Sequence, residues 1–203
     1  MREDSQQHRS THVIYEDAQL VVCVKPHGVL SCRDASGKLS MHDLLAPRDI
    51  YPIHRLDREV TGVMVFAKDA KTAAHLSQQE GFIKEYRARC EGHITPEAGE
   101  MTDLLFHDRN KNKTYVVKRE RGGVKKARLS YQVIGYGEDE SLVQVRLYTG
   151  RTHQIRVQFA SRGFPLCGDR KYGAKLGGEI ALEAFRLTFP HPNGTTMCFS
   201  VDE

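Results

Sequence analysis

The segment YPIHRLDREVTG, residues 51–62, places one carboxylate between two arginines. Asp57 lies two residues after Arg55 and directly before Arg58, and His54 precedes it by three residues. Adjacent guanidinium groups favour the ionised form of a carboxylate, and that form suits a nucleophile or a charge stabiliser better than a general acid. The alternative is an exposed ion cluster, which contributes little energy. The segment alone leaves both interpretations open.

A second group of polar residues occurs in YTGRTHQIRVQFASR, residues 148–162. The apolar spacing predicts a helix over residues 152–162, with Arg151 and Arg156 around its first two turns. Cations at a helix N-terminus oppose the helix dipole, so an anion, either a phosphate or a buried carboxylate, would explain them. His153 adds a neutral hydrogen-bonding side chain to the same region. An amphipathic helix with ordinary polar residues outside is the alternative.

The segment FIKEYRARCEG, residues 82–92, alternates apolar and polar side chains as a strand does. Alternation places Lys84 and Tyr86 on one face of that strand and Glu85 on the other. A tyrosine beside a cleft that binds a base can stack on the ring and offer its hydroxyl. Considered alone, Tyr86 is also the kind of aromatic residue that sheets use for packing.

Basic residues are concentrated in one stretch, residues 109–128. It carries nine basic residues and one acid, a net charge of +8, whereas the whole chain carries +4. Clustered lysines and arginines gain affinity for a polyanion by releasing its counterions, so the stretch favours a nucleic-acid partner over a merely solvated basic loop. The candidates for phosphate contact within it are Lys125, Lys126 and Arg128.

The composition describes an ordinary soluble domain. At 203 residues, 39% hydrophobic and 28% charged, the chain is long enough to bury a core and has no apolar run of membrane-spanning length. Its five cysteines are irregularly spaced and its histidines form no metal-ligand pair, so we expect reduced thiols, no metal and a cytoplasmic location. The polar residues 1–10 predict a flexible tail before a single domain over residues 11–203.

Short strands outnumber helices in the predicted order of elements. Strands are predicted over residues 12–15, 20–24, 63–67, 82–92, 115–118, 127–136, 142–147, 180–189 and 196–201. Helices are predicted after Ser40, over residues 152–162, and from Asp69 to about Glu80 with Gly81 as the C-terminal cap. Strands in groups with few helices between them favour an α+β fold with a mixed, largely antiparallel sheet, and they argue against a doubly wound parallel sheet.

Four segments occur in the order and at about the spacing found in RNA pseudouridine synthases: HRLDREVTG, FIKEYRARCEG, YTGRTHQIRVQFASRGFPLCGDRKYG and IALEAFRLTFPHP. Together with VVCVKPHGVL near the start, they make the chain resemble the RluA-type branch of that family over residues 13–201. Each segment alone is weak evidence for the family, but four segments in the same order and at about the same spacing are specific to it. The resemblance implies the family's α+β catalytic domain, with flanking helices and a central catalytic cleft.

The resemblance also implies an isomerisation of uridine in structured RNA, either rRNA or tRNA. The N1–C1′ bond breaks, the uracil turns, and C5 bonds to the ribose. Asp57 matches the aspartate on which the family's catalysis depends, Tyr86 the tyrosine that packs on the target base, and Arg156 the arginine that pairs with the aspartate. Arg55 matches the residue that fills the space a flipped uridine leaves. The other RNA-binding candidates are His54, Lys84, Arg151, His153, Lys125, Lys126 and Arg128. We expect no cofactor and a monomer.

The chain departs from the family's pattern at two positions. Val60 stands where Thr-Ser-Gly usually begins, and Glu183 stands where the histidine of Leu-His-Ala is common. We expect both to tune packing or substrate choice. We also expect no S4-type RNA-binding module, such as several relatives carry, before the core. Affinity for RNA is therefore expected to come from the core itself, mainly from residues 109–128.

Two other functions are compatible with these residues. A non-catalytic RNA-binding or RNA-folding protein would keep the scaffold, although the presence of Asp57, Tyr86 and Arg156 together argues against it. A hydrolase built on His54 and Asp57 is weaker, because no Ser or Cys nucleophile is positioned with them. The sequence leaves open which RNA and uridine are modified, which step Asp57 performs, and what Arg58 does.

Overall fold

A computed structural model describes residues 11–202, so the tail predicted at residues 1–10 lies outside the described residues. The strands are β1 (His12–Glu16), β2 (Leu20–Lys25), β3 (Tyr51–Pro52), β4 (Thr61–Ala67), β5 (Ile83–Glu91), β6 (Ala98–Asp108), β7 (Lys113–Val117), β8 (Val124–Tyr136), β9 (Glu140–Leu147), β10 (Leu182–Pro190) and β11 (Thr196–Ser200). The helices are α1 (Met41–Leu44), α2 (Ala70–Gln78) and α3 (Gln154–Ala160), and a 3-10 turn covers Arg170–Tyr172.

The eleven strands of the described chain form one sheet in the order β1-β2-β4-β10-β5-β9-β8-β6-β7, with β3 beside β4 and β11 beside β10. All pairings are antiparallel except that of β4 with β10. This confirms the predicted α+β fold with a mixed, largely antiparallel sheet. The parallel pairing depends on Gly62, because a Cβ there would lie 2.2 Å from the carbonyl oxygen of Ala184.

Two apolar cores hold the helices on the sheet. The main core packs α1 and α3 against β2, β4, β5, β8 and β9, and it contains Ile155 and Phe159 at the predicted spacing of four. The second core packs α2 against β2, β4 and β10 through residues such as Leu76 and Phe189. Burying one large apolar side chain contributes roughly 1.5–3 kcal/mol, so the helices owe their stability to this packing more than to their length.

Helix α2 begins where the sequence predicts. The Oδ1 atom of Asp69 accepts a hydrogen bond from the backbone N–H of Thr72 at 2.8 Å, as expected of an N-cap. The helix ends at Gln78, before the predicted Glu80, because the backbone of the next residue is already extended. Gly81 therefore lies beyond the helix and does not cap it.

The largest difference from the prediction is strand β6, which the sequence does not indicate. Most of its eleven side chains are half-buried or exposed, so no two-faced alternation marks it. β6 pairs with β7 on one side and β8 on the other, and β8 begins at Val124, three residues before the predicted start. The basic residues 109–128 therefore form a turn, an edge strand, a loop and the start of β8, not one solvated loop.

The two departures from the family pattern are Val60, directly before β4, and Glu183, on the neighbouring strand β10. Val60 is buried in the main core, where its side chain provides packing. Glu183 on β10 lies opposite Thr61 on β4, and the Thr61 hydroxyl donates to the carbonyl oxygen of Lys25 at 2.9 Å.

Among residues 11–202, no helix has both the length and the apolar character needed to cross a membrane.

Candidate active site

Asp57 lies in the loop between β3 and β4, and the segment that follows β2 holds this loop on both sides of it. The Ser31 hydroxyl donates to the carbonyl oxygen of Leu56 at 2.7 Å and accepts from the N–H of that residue at 3.0 Å. Lys25 Nζ donates to three backbone carbonyl oxygens, including that of Arg58 at 3.1 Å. The backbone is thus fixed, while the Asp57 side chain keeps 26% of its surface exposed.

Sequence reasoning gave no role to Lys25, Ser31 or Arg58. Lys25 is completely buried, and this burial lowers its pKa to about 8. The only hint was the position of this lysine directly after the apolar run of β2 in VVCVKPHGVL. Arg58 contributes its carbonyl oxygen to the loop, and its guanidinium pairs with Glu59 at 3.3 Å.

Arg156 is the cation that faces Asp57. Its guanidinium makes two hydrogen bonds with Asp169, at 2.6 and 2.9 Å, and its remaining nitrogen donates to Asp57 Oδ2 at 3.3 Å. Arg156 is 3% exposed; burial works against its charge, but the two carboxylates more than offset this and raise the pKa of Arg156. A buried, permanently charged guanidinium therefore faces the Asp57 carboxylate.

Asp169 is another residue of the site that sequence reasoning missed. It is 1% exposed and holds Arg156 in the orientation that leaves one nitrogen for Asp57. Asp169 follows Gly168, whose φ of +79° and close approach to the carbonyl oxygen of Glu179 leave no room for a side chain. The motif CGDRKYG contained both residues, but nothing in it indicated a partner thirteen residues upstream.

Helix α3 begins later than predicted, and this corrects the position of Arg151. The helix covers Gln154–Ala160 because His153 takes a left-handed backbone conformation, with φ of +54°. The side-chain oxygen of Gln154 instead accepts from the N–H of Arg151 at 3.0 Å and from the Thr149 hydroxyl at 2.8 Å. Arg151 therefore lies outside the helix. Only Arg156 lies within the first turns of the helix, so only Arg156 needs a buried anion to balance its charge there.

Lys84 and Tyr86 project from β5 into the same cleft, as the alternation predicts. Tyr86 is 6% exposed, and both its burial and the nearby charge of Asp57 raise its pKa. Its hydroxyl is therefore neutral at physiological pH, and the ring presents an apolar surface beside the carboxylate. Lys84 is half-buried, which lowers its pKa.

His54 is a neutral residue with its acceptor nitrogen already in use. Its Nε2 accepts from the backbone N–H of Val65 at 3.3 Å, and burial lowers the pKa of His54 to about 3. A ring bonded in this way does not present a basic nitrogen to Asp57. The geometry therefore gives no support to a hydrolase that uses His54 with Asp57.

A cleft of about 1040 Å³ brings together most of the predicted site residues. Its lining includes Asp57, Tyr86, Arg156, His54, Arg55, Lys84, Arg151 and His153. Lys171 and Asn112 line it as well, and the Lys171 ammonium donates to the carbonyl oxygen of Asn112 at 3.0 Å. Because Asn112 belongs to the turn between β6 and β7, one end of the basic stretch reaches the rim of the cleft.

Three predicted RNA-binding residues, Lys125, Lys126 and Arg128, lie outside the cleft on β8. Lys126 is joined to the cleft by its carbonyl oxygen, which accepts from Arg151 Nε at 3.0 Å. Arg128 makes a bidentate contact with Glu100 and stacks over the ring of Tyr148 at 4.6 Å.

The described part of the chain contains no group of three or more His, Cys, Asp or Glu side chains able to hold a metal ion.

Comparisons with known proteins show which family this chain resembles. A family model described as RNA pseudouridylate synthase matches residues 19–161. The chain is 33% identical to the dual-specificity RNA pseudouridine synthase RluA of Salmonella typhimurium, over 93% of this chain and 91% of the relative. It is 35% identical to the ribosomal large subunit pseudouridine synthase D of Neisseria meningitidis, over 92% of this chain and 56% of the relative.

A solved structure gives the same result at the level of the fold. Human RNA pseudouridylate synthase domain containing 4 superposes with a TM-score of 0.77 at 25% identity, over 93% of this chain and 87% of that chain. The matched segment includes Asp57, Tyr86 and Arg156, the three residues that the cleft brings together. This chain belongs to the RNA pseudouridylate synthase family of isomerases.

Proposed function

We propose that this protein converts specific uridines of rRNA or tRNA to pseudouridine with Asp57 as its catalytic aspartate. The observation that carries the proposal is the pairing of Asp57 with the buried cation of Arg156, 3.3 Å away, beside the apolar ring of Tyr86. A relative named for the ribosomal large subunit supports rRNA as one substrate.

The reaction rearranges bonds within one nucleotide and therefore consumes no co-substrate. The N1–C1′ bond breaks, the uracil turns over, C5 bonds to C1′, and the C5 proton is lost while N1 gains one. Attack of Asp57 on the sugar, attack on the ring and removal of a ribose proton all need a carboxylate anion, and the Arg156 guanidinium is the cation placed against it. Tyr86 supplies the surface on which the uracil turns.

The target uridine has to leave its stacked position to reach a cleft of this kind. We propose that Arg55, an exposed cleft residue without an ion pair among residues 11–202, fills the space the uridine leaves. Extrusion costs a few kcal/mol of unstacking, and such a filler recovers part of that cost. Lys84, Arg151 and Lys171 would hold phosphates around the cleft.

We further propose that residues 11–203 act as a single catalytic domain, as a monomer in the cytoplasm. The one continuous sheet that carries both sides of the cleft supports a single unit. The second candidate function, a non-catalytic RNA-binding or RNA-folding protein, would use the same cations but would not need the Asp57–Arg156 pair.

Incubation of the purified protein with unmodified rRNA and tRNA transcripts labelled with tritium at uracil C5 tests the proposal. We expect the wild-type chain to release tritium and the Asp57→Ala variant to release none, with RNA affinity unchanged. The Arg128→Gln variant, altered outside the cleft, serves as a matched control that keeps its activity. If the wild-type chain binds these transcripts but releases tritium from none of them, the result would favour the non-catalytic alternative.

A further inference from the structure

A chain of polar contacts runs from the backbone of β7 to Asp57. The backbone N–H of Thr114 donates to the hydroxyl of Tyr172 at 2.8 Å, and that hydroxyl lies 2.8 Å from Nδ1 of His153. The other ring nitrogen of His153, Nε2, lies 3.8 Å from Oδ2 of Asp57. Neither Thr114 nor Tyr172 was singled out from the sequence, and His153 was expected only to bind RNA.

The contacts favour one position for the proton of the imidazole. The Tyr172 oxygen already accepts from Thr114, so its own proton is free to be donated to Nδ1 of His153. Nδ1 is then an acceptor, and the proton of the neutral ring is on Nε2, facing the Asp57 carboxylate. The opposite tautomer would direct a lone pair at the carboxylate and leave the tyrosine proton without this acceptor.

The surroundings keep this ring neutral and in place. His153 is 7% exposed, and burial lowers its pKa to about 4 although Asp57 works in the opposite direction. The groups that oppose a second proton on the ring are Arg156 on α3, Lys171 beside Tyr172, and His107 on β6. Its left-handed backbone at the start of α3 directs the side chain into the cleft.

We propose that His153 is a positioning residue, whose Nε2–H is oriented by Tyr172 and Thr114 and helps to orient the Asp57 carboxylate. The proposal rests on the proposed catalytic role of Asp57, and it replaces RNA binding as the function of His153. The separation of 3.8 Å exceeds a hydrogen bond, and catalytic contacts in free enzymes commonly shorten when substrate binds. With that contact shortened, His153 would give Asp57 Oδ2 a second donor beside Arg156.

The first test needs no activity. Nitrogen-15 NMR of the free wild-type protein at pH 7 is expected to show, for the histidine ring whose signals are lost in His153→Asn, a neutral ring protonated on Nε2 and unprotonated on Nδ1. In Tyr172→Phe, which lacks the donor to Nδ1, the same ring should become a mixture of tautomers. A wild-type ring protonated on Nδ1, or on both nitrogens, would overturn the proposal.

The second test compares two amides at the same position. The glutamine amide reaches about as far as Nε2 and the asparagine amide about as far as Nδ1, while asparagine also tolerates a left-handed backbone. We expect His153→Asn to lower the single-turnover rate about 10- to 100-fold, the scale of a misplaced catalytic group, with the RNA Kd unchanged. His153→Gln is expected to restore part of the rate. Circular dichroism and thermal unfolding check that both variants are folded.

The outcomes separate the alternatives. A loss confined to RNA Kd, with a normal single-turnover rate, would show that His153 is an RNA ligand and not a positioning residue. Equal rates for His153→Asn and the wild-type chain would also refute the proposal. If the wild-type chain releases no tritium at all, the proposed function fails, whereas the tautomer measurement still decides whether Nε2–H faces Asp57.

Discussion

Two sets of cations in this protein differ in whether an acid already neutralises them. Arg55, Lys84, Arg151 and Lys171 line the cleft, and none of them forms an ion pair with an acid within residues 11–202. The second set consists of four arginines on the face of β5, β8 and β10 that points away from the main core, here called the outer face. The pairs on the outer face are Arg87–Asp202, Arg89–Glu140, Arg128–Glu100 and Arg186–Glu85.

The difference shows which basic residues are available to RNA. A cation without an acid partner gains the full benefit of releasing phosphate counterions, whereas a paired arginine first has to leave its carboxylate. Arg128, one of the RNA-binding residues predicted from the sequence, belongs to the paired set, while Lys125 and Lys126 beside it are exposed and unpaired within the described chain. Charge density along the sequence therefore does not tell which cations are free of an acid partner.

The largest expected effect comes from removing a cleft arginine that bridges two carboxylates. Arg156→Met leaves the buried Asp169 without its partner, and breaking a buried pair in this way costs about 3–5 kcal/mol of unfolding free energy. Urea denaturation measures the change. Arg128→Met on the outer face is the control, and its exposed pair should leave the urea midpoint almost unchanged. Equal losses in both variants would show that the burial of the Arg156–Asp169 pair does not set the cost of breaking it.

The next prediction concerns the salt dependence of RNA binding. Replacing Lys84, Arg151 and Lys171 with glutamine should weaken binding and reduce the slope of log K against log salt by about 2–3, roughly one unit for each phosphate that the variant no longer neutralises. The control changes the net charge by the same amount on the outer face, with Arg87, Arg89 and Arg186 replaced by glutamine. An equal change of slope in the control would show that only total charge matters.

A smaller change is expected on β8, where the two sets meet. Lys125→Gln combined with Lys126→Gln should reduce the salt slope by about 1–2, because both lysines are free to contact phosphate. Arg128→Gln should leave the slope as it is, because Glu100 holds this guanidinium. An unchanged slope in the double variant would mean that this part of the basic stretch is only solvated surface.

The last prediction is a pH dependence of stability from the cleft histidines. His153 and His54 have pKa values lowered to about 4 and about 3, so between these values and 6.5 the unfolded chain binds protons that the folded chain does not. Stability is therefore unaffected above pH 6.5 and falls as the pH drops below it, by on the order of 1 kcal/mol per pH unit for each histidine.

Urea denaturation at pH 7, 6 and 5 measures this decline. In His153→Asn one of the two contributions is missing, so the decline should be shallower than in the wild-type chain. The comparison of slopes removes any constant effect of the substitution on stability. A wild-type curve that is flat between pH 7 and pH 5 would contradict the neutral, buried state of both rings.

Local patterns account for the parts of the fold that were predicted. Alternation in residues 82–92 indicated β5 and the shared face of Lys84 and Tyr86, and the side chain of Asp69 indicated the start of α2. β6 was missed because its half-buried side chains carry no periodic pattern. The start of α3 was misplaced because the left-handed backbone of His153 depends on contacts from distant elements.

The amino-acid sequence alone was enough to establish the fold class, the family resemblance and the residue types at the site, since periodicity and motifs are local properties. Which charges are paired became apparent only in the folded chain. Asp57 and Arg156 are 99 residues apart, and Asp169 and Lys25, which fix them, meet them only after the sheet has formed. Pairing depends on distances of a few ångströms between remote segments, and a linear pattern of charges does not contain those distances.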